Sequence, residues 1–311
     1  MTRQILVRRI EGEDLVGTVH WPVCADGTRP LRAGVLLLNA GTAPRAGNSD
    51  LYVYLADRLA AENLVVFRFD LPGLGDSTGD VPLEANTYWQ QTQQGRNDRT
   101  AEVLVDMLRS EFGIAMLFVG GLCAAVNPVV HAAAHCAESI AGMLLLDPGF
   151  QIARSGAVTE TEDGFRRVKP SQSLAARYSP GALLLVLTGH GRIARKMRPV
   201  LPLLLWMQRR VLGHGLFRNV NLPLAKDFQH ALSRGVPALM LIAEGHGRET
   251  QSWEIDRLVS SLPNALQRLI HIVRVRDTNH ILTAGNARAI ILEELPRWID
   301  TVLSSLPGIC S

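Results

Sequence analysis

Along the chain, short uninterrupted apolar runs alternate with segments in which apolar residues recur every three or four positions. Ala33 to Asn39, Leu64 to Phe69, Ala115 to Val119 and Ala141 to Leu146 are runs of the first kind. They have the pattern of strands buried on both faces of a parallel sheet. Leu51 to Glu62, Asn97 to Phe112 and Ala124 to Ala137 carry helical spacing, with Leu51, Leu55 and Leu59 marking one face. Ahead of them, Gln4 to Ile10 and Asp14 to Trp21 read as a strand pair around the turn Glu11-Gly12-Glu13. After Asp147 the alternation stops, and residues from about 150 to 230 hold helical apolar stretches with no strand pattern. It resumes with Ala238 to Ala243 (strand), Thr250 to Leu262 (helix), Leu269 to Val275 (strand) and Ala287 to Leu303 (helix). The pattern predicts an α/β fold: an eight-stranded, mostly parallel sheet with right-handed crossovers and an antiparallel N-terminal strand. A helical cap is inserted after the sixth strand, giving a core of 1–149 and 233–311 around a cap of 150–232.

Composition narrows the class. Of 311 residues, 47% are hydrophobic and 20% charged, a globular balance rather than a disordered one. No signal-peptide pattern follows Met1, and no apolar run reaches the roughly 18 residues of a membrane-spanning helix, so a cytoplasmic protein is expected. Four cysteines, Cys24, Cys123, Cys136 and Cys310, show no C-x-x-C spacing, which excludes zinc-ribbon and thioredoxin-like sites and implies reduced thiols.

Charge changes the picture more. Gly164 to Lys226 holds 12 Lys and Arg in 63 residues and no Asp or Glu, while the rest of the chain has 20 basic and 29 acidic residues. A block this basic inside an acidic body suggests a module facing something anionic, the alternative being a solvated helical surface.

The predicted strand Ala115 to Val119 runs into Gly120-Gly121-Leu122-Cys123-Ala124-Ala125 and then a helix. This is the strand–turn–helix setting of a nucleophile elbow, in which the reactive atom projects from a strained turn and the residues two before and two after it are small. Gly121 and Ala125 meet that need, and the nucleophile is Cys123. The N–H of Ala124, at a helix N-terminus, can act as an oxyanion donor and favour the thiolate. A thiol needs a base, and His280 follows the last strand in Asp277-Thr278-Asn279-His280. Asp147 ends the sixth strand above the same sheet edge as Cys123 and is the first candidate for the acid orienting that base; Glu244, after the seventh strand, is the second. His131 and His135 lie at i, i+4 on the helix after the elbow, a spacing that can bind metal. No carboxylate or third ligand is evident in the sequence, so they read as structural, and neither a metal nor a cofactor is expected.

With these residues in place the chain resembles the α/β-hydrolase superfamily over nearly its full length. It is most similar to the cysteine-elbow branch that includes the exosortase A system-associated hydrolases. The resemblance is carried by Asn39-Ala40-Gly41-Thr42-Ala43-Pro44-Arg45-Ala46-Gly47, by Arg68-Phe69-Asp70-Leu71-Pro72-Gly73-Leu74-Gly75-Asp76-Ser77 and by Gly121-Leu122-Cys123. The branch usually continues its elbow with an acidic or hydroxyl residue, Gly and Ala, where this chain has Ala124-Ala125-Val126. The resemblance implies the α/β-hydrolase fold, a base placed last in chain order and a second oxyanion donor from Gly41 or Thr42. An acid after the sixth strand is also similar to the Dieckmann-type cyclases that release products from carrier proteins.

A cysteine exchanges one thioester for another in a nearly level step and keeps the acyl group activated. That favours acyl transfer or ring closure from an acyl thioester, with a cysteine hydrolase or thioesterase, or a non-catalytic binding module, as alternatives. Within the basic block, Leu183 to Leu187 and Val200 to Met207 are apolar, with Arg192, Arg195, Lys196 and Arg198 beside them. Such a lid suits an acyl chain delivered by an acidic acyl or peptidyl carrier protein or by coenzyme A. It suits an anionic membrane surface equally. Few aromatics and no binding motif make nucleic acid an unexpected partner.

Overall fold

The structure is a computed structural model that describes residues 2–22, 33–150, 158–160, 166–168, 221–244, 249–284 and 286–306. The chain divides into two compact units, Met1–Phe150 with Asn221–Ser311, and Gln151–Val220. In chain order the elements are β1 (Thr2–Ile10), β2 (Glu13–Trp21), β3 (Ala33–Leu38), α1 (Leu51–Ala61), β4 (Val65–Phe69), α2 (Ala85–Gln93), α3 (Asp98–Phe112), β5 (Met116–Leu122), α4 (Val126–His135) and β6 (Ile140–Leu146). They continue with β7 (Val158–Glu160), β8 (Arg166–Val168), α5 (Leu222–Ser233), β9 (Ala238–Glu244), α6 (Glu249–Ser261), α7 (Asn264–Gln267), β10 (Ile270–Arg276) and α8 (Ala287–Ser305).

Eight strands form one sheet in the order β1-β2-β4-β3-β5-β6-β9-β10. β2 runs antiparallel to both neighbours, and the strands from β4 to β10 are mutually parallel. Every residue of β3 and of β6 is buried, as their continuous apolar runs require when helices cover both faces. On one face Val126 and Val129 of α4 and Phe228 of α5 join the core; on the other, Leu55 of α1 and Ile291 and Trp298 of α8 do.

Two expectations are corrected in and beside the inserted segment. Val158–Glu160 and Arg166–Val168 pair as a short antiparallel hairpin, where the sequence predicts no strand. β-branched Val158, Thr159 and Val168 favour extended backbone. Helix α5 is counted with the first unit, so the boundary falls at Asn221 rather than at 232. The physical reason is its apolar face: Leu224, Phe228 and Leu232 are buried in the sheet-facing core. The helical stretches expected between 169 and 220, with Arg192, Arg195, Lys196 and Arg198, lie outside the described residues.

The first unit's chain ends at the insertion are tied together. The Asn221 backbone N–H donates to the Phe150 carbonyl at 2.8 Å. The Asn221 side chain caps α5 by accepting from the Leu224 N–H and donates to the Gln93 carbonyl at 3.0 Å. Among the described residues no helix is long and apolar enough to cross a membrane.

Candidate active site

The sheet register brings the site together. β5 and β6 are adjacent and parallel, with Leu122 opposite Leu146. Cys123 and Asp147, each the next residue, therefore leave neighbouring strand ends side by side. Both leave in left-handed backbone, with φ of +61° at Cys123 and +40° at Asp147. The described residues include eight non-glycine positions of positive φ, and four of them lie in the segments after β5, β6 and β10: Cys123, Asp147, Asp277 and Leu282. Such conformations cost about 1–3 kcal/mol each and persist where the surroundings enforce them. At the elbow the enforcement is steric: a Cβ on Gly121 would sit 2.3 Å from the Ala125 Cβ, so strand and helix approach as closely as the pattern of small residues predicts. Cys123 to Ala125 form a short 3-10 turn opening into α4, which places Ala124 at the helix start.

The structure joins His280 to Asp147. His280 Nδ1 lies 2.5 Å from Asp147 Oδ2. Asp147 is fully buried, while the His280 side chain is 35% exposed. The second carboxylate oxygen, Asp147 Oδ1, accepts the Ala243 N–H of β9 at 2.9 Å, which fixes the carboxylate plane. The loop carrying His280 is itself braced: Thr283 N–H donates to Asn279 Oδ1 and the Thr278 hydroxyl to the Ala284 carbonyl. Glu244, the second candidate acid, instead accepts from Arg274 of β10 at 3.0 Å.

Opposite these groups, the loop after β3 holds Gly41 and Thr42. A turn closes it, Ala43 N–H to Ala40 carbonyl at 3.1 Å, and the Trp89 indole lies against Gly41. Fully buried Asp70 governs this loop. It accepts from Asn39 Nδ2 at 3.0 Å, from the Arg45 N–H at 2.5 Å and from the Asp76 N–H at 3.1 Å, and it pairs with the Arg45 guanidinium. Gly75 (φ +55°) makes the enclosure possible, since a Cβ there would fall 2.3 Å from the Asp70 carboxyl group. Burial pulls the Arg45 pKa down, but Asp76 and Asp70 outweigh it and raise it above the ordinary value. Arg68 extends the web, donating to the Arg45 carbonyl and to His20 Nε2, while His20 Nδ1 meets Asp57. Burial, reinforced by Arg68, lowers His20 to about 4, so it is a neutral imidazole with its proton on Nδ1.

Sequence reasoning missed Tyr52. This buried residue of α1 accepts the Leu122 N–H on its phenol oxygen at 2.6 Å, directly before Cys123. Its own backbone N–H donates to the Ala46 carbonyl at 3.0 Å, so one residue ties the elbow to the loop after β3. Burial raises its pKa far above the ordinary value and keeps it protonated. Only its place in an apolar helical stripe was visible in sequence, and that signals packing.

The histidine pair on α4 also has partners the sequence hid. Glu102 of α3 joins His131 and His135, with potential ligand atoms all within 4.8 Å of one another. The third group absent from the sequence motif is therefore supplied by the fold.

No protein-family model matches the chain, and no curated protein is similar to it in sequence. Solved structures are similar in fold. Est1E from Butyrivibrio proteoclasticus, solved with ferulic acid bound, aligns with a TM-score of 0.58 at 11% identity, covering 96% of this chain and 100% of its own. The α/β hydrolase GrgF from Penicillium sp. sh18 aligns at 0.59 and 13% identity, covering 98% and 99%. Dienelactone hydrolase from Anabaena variabilis aligns at 0.54 and 12% identity, covering 96% and 97%. The strand order, the single antiparallel strand β2 and these likenesses together give the chain the α/β-hydrolase fold.

Proposed function

We propose that the chain is a Cys-His-Asp acyl-transfer enzyme acting on an acyl thioester carried by an acidic carrier protein or by coenzyme A. The observation that carries this reading is the hydrogen bond of His280 Nδ1 to the fully buried Asp147, on the strand next to the elbow. With Nδ1 engaged, Nε2 is the nitrogen that takes the Cys123 proton. The thiolate attacks the thioester carbonyl, and the oxyanion is met by the Ala124 N–H and by an N–H of Gly41 or Thr42. The carrier thiol leaves with the proton held on His280, and the acyl group remains on Cys123 as a thioester. An amine, water or a carbanion within the acyl group (a Dieckmann-type closure) then attacks the thioester carbonyl; His280 takes the proton from the amine, the water or the α-carbon that becomes the carbanion, the acyl C–S bond breaks, and the proton returns to the released Cys123 thiolate. The inserted segment acts as a lid, and Arg192, Arg195, Lys196 and Arg198 meet the carrier.

A cysteine hydrolase of esters, lactones or thioesters is the second reading, favoured by the dienelactone hydrolase among the fold neighbours. A binding module on a retired fold is the third.

Intact-mass measurement after mixing with acyl thioesters separates the three. Acyl transfer gives a persistent adduct on the wild type that Cys123→Ala lacks, and Cys123→Ser binds but transfers poorly because its intermediate is an ester. Turnover without an adduct leaves hydrolysis open, and inertness towards every electrophile favours the binding module. For the carrier, kcat/KM should fall with salt for a carrier-bound substrate and stay level for a small uncharged thioester, because the Debye length shrinks from about 10 Å at 0.1 M to about 3 Å at 1 M. Equal salt dependence removes the carrier.

A further inference from the structure

We propose that Glu102, His131 and His135 form a binding site for one divalent transition-metal ion, such as zinc, separate from Cys123. His131 and His135 stand one turn apart on α4 with ring centroids 4.2 Å apart, so both imidazoles present to one side of the helix. Glu102 comes from α3, its Oε1 3.1 Å from His131 Nε2. Zinc bonds of about 2.0–2.2 Å place neighbouring ligands about 3.4 Å apart, and small side-chain rotations bring the three donors from within 4.8 Å to that spacing.

The carboxylates on the other ring nitrogen of His131 point the same way. His131 Nδ1 faces Asp227 of α5 at 3.2 Å and Asp98 of α3 at 3.5 Å. A proton on Nδ1 satisfies these carboxylates and turns the Nε2 lone pair toward Glu102. Carboxylate-oriented histidines commonly present a metal-binding nitrogen in this way. At 3.1 Å the nitrogen and the carboxylate oxygen need a positive charge between them, which is either a second ring proton or a metal ion bound to both. The surroundings also ask for positive charge. Three carboxylates, Asp98, Glu102 and Asp227, meet here, and Arg99 pairs with Glu102. Asp98 Oδ1 is buried without a hydrogen-bond partner. Two imidazoles and a carboxylate favour zinc, nickel or cobalt over magnesium or calcium, which take oxygen ligands. His135 is exposed and borders an open cleft of about 480 Å3, so an ion can reach the site from solvent.

The ion would fasten α4, the helix that starts at the elbow, to α3 directly and to α5 through Asp227. The test is calorimetric zinc titration of the full chain carrying Cys123→Ala, which removes the elbow thiol as a competing ligand. One saturable equivalent is expected, weakened about tenfold or more by His135→Ala and by Glu102→Gln, with zinc raising the Tm of the parent and leaving that of His135→Ala unmoved. Because His135 is exposed, its replacement does not endanger the fold. Cobalt should give a spectrum without a thiolate-to-metal band, and Cys136→Ala should bind zinc as the parent does. Absence of saturable zinc uptake, uptake unchanged in both ligand variants, or a thiolate band overturns the proposal and leaves a charged imidazolium held by carboxylates.

Discussion

On the β6, β9 and β10 side of Cys123, the candidate base is held by a direct hydrogen bond between His280 and Asp147. On the β3 and β4 side, the loop that would meet the oxyanion is held by a web running from Asp57 through His20, Arg68 and Arg45 to Asp70 and Asn39. The two halves solve different problems. A proton carrier must keep a ring nitrogen available and some room to turn, and the His280 side chain is 35% exposed. Backbone donors must stand still, and stillness comes from satisfying every buried polar group around them. Damage should therefore separate: substitutions in the first half strike chemistry and spare the fold, and substitutions in the second strike the fold as well.

The largest expected effect is at the tether. His280→Ala and Asp147→Asn should lower kcat by about 10^2- to 10^4-fold with KM little changed, whereas Glu244→Gln should stay within about twofold. Steady-state kinetics on an acyl thioester decides it, and a Glu244 variant as damaged as the Asp147 one would undo the assignment. Next is Asp70→Asn, which removes the buried carboxylate of the web while Arg45 keeps Asp76, and should cost about 1–3 kcal/mol of stability as well as activity. Denaturant unfolding measures the first, and an unchanged midpoint would erase the contrast between the halves. The smallest effect belongs to His20. Its folded pKa, lowered from 6.5 to about 4, makes the neutral ring the favoured form. Its contribution is therefore complete above about pH 6.5 and is lost as pH falls toward 4. Urea midpoints at about pH 7 and about pH 4.5 should drop less for His20→Gln than for the wild type, and equal drops would remove His20 from the acid response.

The first half was legible in sequence because its signals are local. A continuous apolar run announces a doubly buried strand, and Gly121 with Ala125 announces the close packing that forces Cys123 onto a strained turn. Asp147 was legible as a strand end, and the sheet register did the rest. The second half was not, because its pairs span long separations: Arg68 with His20, Arg45 with Asp70, Tyr52 with Leu122. Asp70 could be read only as part of a dense turn. Helix α2 was missed for another reason, since its sequence ANTYWQQTQ has no apolar period. His131 shows the limit most clearly: its own helix supplies one partner, His135, while the carboxylates come from positions 98, 102 and 227.

The hydrogen bond from Asn221 to Phe150 bears on how such a chain can change over evolutionary time. It makes the departure and return points of a segment of some 70 residues immediate neighbours, so the core closes its own circuit whatever lies between them. The entropy of closing a loop grows only with the logarithm of its length, by roughly 0.6 kcal/mol per doubling, so a longer or shorter segment alters the folding equilibrium of the sheet very little. The neck works as a socket. Lineages can lengthen, shorten or exchange what is plugged into it, while the strand ends holding Cys123, Asp147 and His280 stay where they are.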